Sequence, residues 1–147
     1  MSEITLVVEE EGWRAHRGLQ KRLKLAAEAA RKAAKLKGDV TILLSGDGKL
    51  AVLNHDFRGK NKPTNVLSFP GNDSYAGDIA IAYGVTSKEA KAAAKSLADH
   101  ATHLVVHGVL HLAGYDHEAP QDAKVMEPLE VKVLKRLGIA DPYAASP

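Results

Sequence analysis

The sequence predicts an α+β fold: a single domain with a mixed sheet of about four strands packed with about five helices. Short runs of β-branched residues alternate with longer amphipathic segments, a pattern typical of mixed structure. Two of these runs are separated only by a turn-rich connector, which favours an antiparallel pair. The 147 residues fit one domain, which we expect to span 1–147 with its core over about 4–138.

The first part of the chain predicts strand, helix, strand and helix in that order. Residues 4–8 form a β-branched run. Residues 13–36 place apolar side chains at helical spacing, and Gly38 is expected to stop this helix. Residues 40–44 are almost entirely apolar, which indicates a strand covered on both faces. A short helix is predicted over 49–57.

A loop and two more strands follow. Glycine and proline predict a loop over 59–63. The next strand, over 64–70, is bounded by prolines, so we expect it to be short or to lie near an edge. The connector 71–76 then leads into a strand over 77–82, which we expect to pair with it in antiparallel orientation.

The last third of the chain is predicted to be helical. Thr86 stands three residues before Glu89, the spacing of a capping box, and is the preferred start of the next helix. Helix is expected over 88–100 and, directly or after a bend, over 102–113. A final amphipathic helix spans 121–137, followed by a glycine and a tail.

The composition restricts the chemistry that is available. The chain has no cysteine, so disulfides and thiolate metal ligands are excluded and a metal must use His, Asp or Glu. No apolar stretch approaches the roughly 20 residues that span a membrane, and the N-terminus lacks the pattern of a signal peptide. We therefore expect a soluble cytoplasmic protein with no membrane partner.

Positive charge is concentrated in two places, although the net charge is only +2. The first cluster lies in the segment 14–37, where it suits either an anionic ligand or simply a solvated helix face. The second cluster comprises Arg58, Lys60 and Lys62 in the predicted loop. A basic loop of this kind is a candidate site for phosphate groups.

Three histidines are the most informative feature of the chain. His107 and His111 are four residues apart, so on a helix both rings lie on one face. Gly114 can end that helix and turn the chain, which would bring His117 toward the pair. Three nitrogens with a fourth position open describe a catalytic zinc site. Against this, seven histidines in one chain will sometimes fall four apart by chance.

The spacing of the triad also occurs in metalloproteases, where a glutamate directly after the first histidine is the general base. Here Gly108 occupies that place and cannot move a proton. Zinc can itself lower the pKa of water to about 7, so hydrolysis does not require such a base. Asp116, beside the third histidine, could orient a ligand, and Arg58 could stabilise charge developing on a phosphoryl group.

The segment 107–117 resembles the H-G-x-L-H-L-x-G-Y-D-H signature of the bacterial YbeY family, the zinc-dependent, single-strand-specific endoribonucleases of rRNA maturation. Three further segments, 54–70, 77–79 and 126–130, are similar to the family's other blocks and occur in the same order. The resemblance therefore extends over nearly the whole chain, from about residue 4 to residue 138.

The resemblance implies one zinc ion held by the three histidines and an arginine important for activity at Arg58. It also implies action on single-stranded RNA, in 16S rRNA 3′-end maturation and ribosome quality control. The partners would be rRNA on the ribosome or its precursors, with ribosomal or assembly-factor proteins. Asn65 stands where the family often has Asp, which would keep hydrogen bonding but weaken assistance by an acid. Further candidates for ligand support or substrate contact are Asp116, Lys60 and Lys62.

Two other functions remain open at this stage. In the first, the chain is a non-catalytic ribosome-assembly factor with a structural zinc, which only holds the last helix in place. Arg58 would then be one phosphate contact among several. In the second, more remote, the chain is a metalloprotease-like hydrolase, although it lacks the glutamate at position 108.

Overall fold

A mixed sheet forms the centre of the structure, a computed structural model that describes residues 3–59, 64–72, 74–115 and 120–143. Of residues 57 and 58 only the backbone is described. The described part of the chain contains four strands in the order β1-β2-β4-β3: β1 (Ile4–Val8), β2 (Asp39–Ser45), β3 (Val66–Asn72) and β4 (Tyr75–Ala82). β1, β2 and β4 are parallel, whereas β3 pairs with β4 in antiparallel orientation. The predicted α+β fold and the antiparallel pair are confirmed.

Helices cover both faces of the sheet. The described residues form five α-helices: α1 (Leu19–Ala34), α2 (Asp47–Arg58), α3 (Tyr83–Ala92), α4 (Leu97–Leu112) and α5 (Pro120–Arg136). The main core joins α1, α4 and α5 to one face, where Ile42 and Ile79 are fully buried. A smaller cluster around Leu50 of α2 covers the other face. Coverage on both faces explains why β2 is apolar along most of its length.

α4 is the central helix of the domain. It contacts three other helices, α1, α3 and α5, as well as strands β3 and β4. Nine of its residues are buried, including Val105, Val106 and Val109. Its position over β3 and β4 is what brings its polar face to the edge of the sheet. No helix in the described ranges is long and apolar enough to cross a membrane.

The start of α1 differs from the prediction. Trp13 belongs to a separate 3₁₀ turn over Glu11–Ala15, and the helix begins only at Leu19. Gly18 has a φ of 78°, which is left-handed backbone that a helix cannot include. Trp13 is completely buried, and its Nε1–H donates to the carbonyl of Ser45 at 2.9 Å. Burial of this side chain against β2 therefore determines the backbone here.

The start of α3 also differs from the prediction, because the capping group comes from another helix. α3 begins at Tyr83, directly after β4, and Thr86 is buried within it. The carboxylate of Asp47 in α2 accepts the N–H of Val85 at 2.9 Å, which satisfies a donor of the first turn. Gly84 permits this approach, since a Cβ there would lie 2.3 Å from Asp47 Oδ2.

The long helical region predicted after residue 86 is two helices. α3 ends at Ala92, and Ala94 has a φ of 56°, which breaks the helix. Ser96 then caps α4, its hydroxyl accepting the N–H of Asp99 at 3.0 Å. α4 continues without interruption through residues 100–102, so the bend lies earlier than the prediction placed it.

Candidate metal centre

One face of α4 presents a row of histidines. His100, His103, His107 and His111 follow one another at spacings of three or four residues, which places their side chains on one face. The centroids of successive rings are 6.1, 6.2 and 4.6 Å apart. The four rings line a cleft of about 830 Å³, and residues 64–68 at the start of β3 line it as well.

Two of these histidines are placed to share an ion. The Nε2 atoms of His107 and His111 lie 3.0 Å apart near the end of α4. Nitrogens bound to one tetrahedral zinc at about 2.0–2.1 Å would be separated by roughly 3.3 Å. α4 ends at Leu112, and Gly114 has a φ of 98°, so the predicted turn after the pair is present. The donor atoms and their spacing are compatible with one shared metal ion.

A buried carboxylate holds the other side of the His107 ring. Glu130 of α5 is fully buried, and its Oε2 lies 2.6 Å from His107 Nδ1. Its second oxygen is 3.4 Å from His103 Nε2. Burial raises the pKa of this carboxyl, but the imidazoles of His103 and His107 and the hydroxyl of Tyr143 together lower it to about 2. Glu130 is therefore a carboxylate at any physiological pH.

The C-terminal segment also reaches this site, although the sequence predicted only a tail there. The Tyr143 hydroxyl donates to Glu130 Oε1, and the Tyr143 N–H donates to Asp141 Oδ1 at 2.8 Å. Burial, together with the hydrogen bond to the Glu130 carboxylate, raises the pKa of Tyr143. The ring lines the cleft and is 45% exposed, so this tyrosine connects the cleft surface to the buried acid.

His103, His107 and Glu130 form a second group able to hold a metal ion. Each offers one ligand atom, and these atoms lie within 4.8 Å of one another. The 2.6 Å separation of His107 Nδ1 and Glu130 Oε2 is that of a charge-assisted hydrogen bond. The described residues thus place two candidate metal-binding groups at His107, one shared with His111 and one shared with His103 and Glu130.

The other end of the cleft contains Asn65, which the sequence suggested as a support or substrate contact. Its Nδ2 donates to Glu89 Oε1 at 3.0 Å, and its Oδ1 accepts the N–H of Val66 at 2.7 Å. The same Glu89 oxygen lies 2.9 Å from His100 Nε2. Through Glu89, Asn65 thus connects the start of β3 to α3 and to His100 of α4. His100 lies seven residues before His107 and eleven before His111 in the sequence.

Gly108 faces the sheet, which gives a structural reason against a protease. A Cβ at this position would lie 2.9 Å from Ile79 Cγ2 and 3.2 Å from Ser68 Oγ. The Ser68 hydroxyl donates to the Gly108 carbonyl at 3.1 Å. A glutamate here would have no room between α4 and the side chains of Ile79 and Ser68.

Several predicted site residues lie outside the described part of the chain. His117, Asp116, Lys60 and Lys62 fall in the two gaps that flank residues 64–115, and their roles stay predictions. The backbone of Arg58 is described as the last residue of α2, followed by Gly59 with a φ of 70°. The side chain of Arg58 is outside the description.

Sequence reasoning missed three residues of this site: His103, Glu130 and Tyr143. A signal existed for the first, because His103 extends the four-residue spacing of the histidines by one step. A signal also existed for Glu130, because this acid lies in the otherwise apolar stripe of α5 that includes Met126 and Val133. The sequence contains no comparable signal for Tyr143.

The chain is similar to a known family over most of its length. The family model described as Endoribonuclease YbeY matches residues 8–138. A curated relative from Maricaulis maris, named Endoribonuclease YbeY, is 45% identical over 148 residues, covering 97% of this chain and 92% of the relative. A Chelativorans relative with the same name is 50% identical, covering 87% of this chain and 83% of its own length. The corresponding values for the Bartonella henselae relative are 41%, 98% and 98%.

The fold is also similar to a solved structure. The solution structure of a Thermotoga maritima protein matches with a TM-score of 0.62 and 27% identity. The match covers 99% of this chain and 100% of that one. The similarity of the fold therefore extends over nearly the whole chain.

Proposed function

This chain belongs to the YbeY family, whose named members are endoribonucleases, and we propose that it is a zinc-dependent hydrolase of single-stranded RNA. The observation that supports this best is the pair of Nε2 atoms, 3.0 Å apart, on the wall of an open cleft. His107, His111 and His117 are the proposed ligands. Zinc bound there supplies a Lewis acid that lowers the pKa of water to about 7.

The residues of the chain have separate tasks in this proposal. Glu130 holds His107 through Nδ1, so that its Nε2 faces His111. Arg58 stabilises the charge that develops on the phosphoryl oxygens during cleavage, for which the guanidinium fork is suited. Lys60 and Lys62, which follow it in the sequence, contact neighbouring phosphates. Asn65 and Asp116 support the cleft wall and the third ligand, respectively.

The proposed substrate is rRNA, in 16S 3′-end maturation and ribosome quality control, with ribosomal or assembly-factor proteins as further partners. Support for an RNA substrate comes from the names of the relatives and from the basic residues Arg58, Lys60 and Lys62 in the sequence. Because phosphate contacts release counterions, RNA affinity should fall steeply as salt rises. The chain has only seven aromatic residues of the Phe, Trp and Tyr types, so an extended base-stacking surface does not support binding.

The test compares cleavage of single-stranded RNA by wild type, Arg58→Ala, His107→Ala and Arg136→Ala, all purified in parallel. Arg136 is an exposed residue at the end of α5 and serves as the control arginine. Loss of one charge-stabilising donor should reduce the rate by about 10²–10³, so Arg58→Ala should lose activity while keeping its fold and zinc content. His107→Ala should lose both zinc and cleavage, and Arg136→Ala should retain both.

The main competing function is that of a non-catalytic assembly factor with a structural metal. It predicts equal residual cleavage by all four proteins, caused by a contaminating nuclease, and only a weaker affinity for RNA in Arg58→Ala. Structural zinc sites usually close all four positions with protein ligands. A histidine pair that lines an open cleft is better suited to an enzyme.

A further inference from the structure

We propose that Glu130 is a positioning residue for the metal centre: it fixes the ring orientation and tautomer of His107, and Tyr143 anchors it from the C-terminal segment. The inference rests on the proposed function, because it concerns the same histidine pair. Its basis is a continuous chain of contacts. The Tyr143 hydroxyl donates to Oε1 of Glu130, and Oε2 of Glu130 lies 2.6 Å from His107 Nδ1. His107 Nε2 is 3.0 Å from His111 Nε2.

The position of Glu130 in α5 does not suit a packing role. The other buried residues of this helix are Met126, Val133 and Leu134, which belong to the main core. A carboxylate among them must lose its hydration, and its partners usually do no more than offset that loss. A leucine or methionine would fill the same volume without this cost. The acid is therefore better explained by what it does to His107 than by stability.

Control of the tautomer is the physical consequence of this contact. A carboxylate can only accept a hydrogen bond, so the nitrogen that faces it must carry the proton. Nδ1 of His107 is therefore the protonated atom, and Nε2 keeps its lone pair. A metal ligand needs that lone pair, and a carboxylate on the opposite nitrogen fixes the ring orientation that presents it. Without Glu130 the proton can move to Nε2 and the ring can turn, so that fewer molecules are ready to bind an ion.

The chain contains a matched control on the same helix. Glu89 also pairs with a histidine of α4, with its Oε1 2.9 Å from His100 Nε2. Both acids approach the histidine face of α4, but Glu89 belongs to the end of the cleft where Asn65 lies. Glu89→Gln therefore removes the same charge near the same cleft without touching His107 or His111.

The first measurement is zinc affinity, by competition with a chromophoric chelator, for wild type, Glu130→Gln, Glu130→Ala, Tyr143→Phe and Glu89→Gln. Changes at such supporting residues typically weaken metal binding by 10–100-fold, so we expect about tenfold for Gln and up to about 100-fold for Ala. Tyr143→Phe removes one hydrogen bond and should weaken binding about fivefold. Glu89→Gln should bind zinc as wild type does.

The second measurement does not need the metal. Nitrogen-15 NMR of the zinc-free protein at mildly alkaline pH reports which nitrogen of His107 is protonated. Wild type and Glu89→Gln should show protonated Nδ1, whereas Glu130→Ala should shift the proton toward Nε2. Glu130→Gln has the same shape as the native side chain, and its amide oxygen can still accept a hydrogen bond from Nδ1. If Glu130→Ala fails to fold, the expected tenfold loss of zinc affinity in Glu130→Gln therefore keeps the test decisive.

The results separate this inference from the proposed function. Wild-type protein that binds no zinc would overturn the proposed function, while the NMR measurement would still decide the role of Glu130. Unchanged zinc affinity and an unchanged tautomer in Glu130→Gln and Glu130→Ala would overturn the inference alone. A loss of zinc affinity in Glu89→Gln equal to that in Glu130→Gln would also overturn the inference. If His103→Gln lost zinc as completely as His111→Ala, Glu130 would be a direct ligand together with His103, and the positioning role would be wrong.

Discussion

Gly108 offers a direct test of how closely α4 packs on the sheet beside the metal site. Substitution by alanine would place a Cβ 2.9 Å from Cγ2 and 3.2 Å from Cδ1 of Ile79, and 3.2 Å from Ser68 Oγ. Ile79 is β-branched and fully buried in β4, a strand paired on both sides. Neither neighbour can withdraw easily, so the helix itself must move away from the sheet.

The expected loss of stability in Gly108→Ala follows from comparison with a second helical glycine, Gly48. Gly48 lies in the first turn of α2, and a Cβ at this position would have no neighbouring atom within 4 Å among the described residues. Gly→Ala at an unstrained position stabilises by about 0.4–1 kcal/mol, mainly because the unfolded chain becomes less flexible. That term is common to both sites, whereas overpacking costs about 1–3 kcal/mol and applies only to Gly108. Gly108→Ala should thus be less stable than Gly48→Ala by about 1–3 kcal/mol.

Urea unfolding of the zinc-free proteins, followed by the fluorescence of the single, buried Trp13, measures this difference. In thermal unfolding, each kcal/mol should correspond to about 2–4 °C for a domain of this size. Gly48→Ala should match or exceed wild type. If Gly108→Ala proved as stable as Gly48→Ala, the close approach of α4 to β4 would be refuted.

Three further predictions use other parts of the structure. Asp47→Ala removes the cap of α3 and should lower stability by about 0.5–2 kcal/mol in urea unfolding, whereas Asp47→Asn, which can still accept from Val85, should lower it less. Hydrogen bonds from Ser45 and Lys49 lower the pKa of Glu9 below its usual 4.5. Because the pKa is lower in the folded state than in the unfolded state, ionised Glu9 stabilises the fold above about pH 4.5. This stabilisation is lost as the pH falls through the folded-state pKa. The stability difference between wild type and Glu9→Gln should therefore be largest near neutral pH and shrink in acid, and a pH-independent difference would contradict this. Zinc at about 100 times its dissociation constant should stabilise wild type by about 2.7 kcal/mol, a gain that a chelator removes; an equal gain in His111→Ala would argue against the proposed ligands.

Local spacing in the sequence determined the elements whose residues interact with near neighbours. β1 lies where the β-branched run predicted it, and β2 extends the predicted run by one residue at each end. The end of α4 and the approach of His107 to His111 also follow from local rules, since residues four apart on a helix are adjacent in space. The spacing of apolar and polar residues along each segment carries this information, so it can be read before the tertiary contacts are known.

Tertiary structure decided everything that depends on contacts between elements. α3 begins at Tyr83 because Asp47, 38 residues before its partner Val85, supplies the cap. Glu130 reaches His107 across 23 residues of sequence only because α5 packs on α4. No periodicity encodes such a contact, because it depends on how two helices pack after their apolar faces are buried together. The sequence by itself therefore predicted that His107 and His111 lie side by side, whereas the packing of α5 and the position of Tyr143 determined which groups surround them.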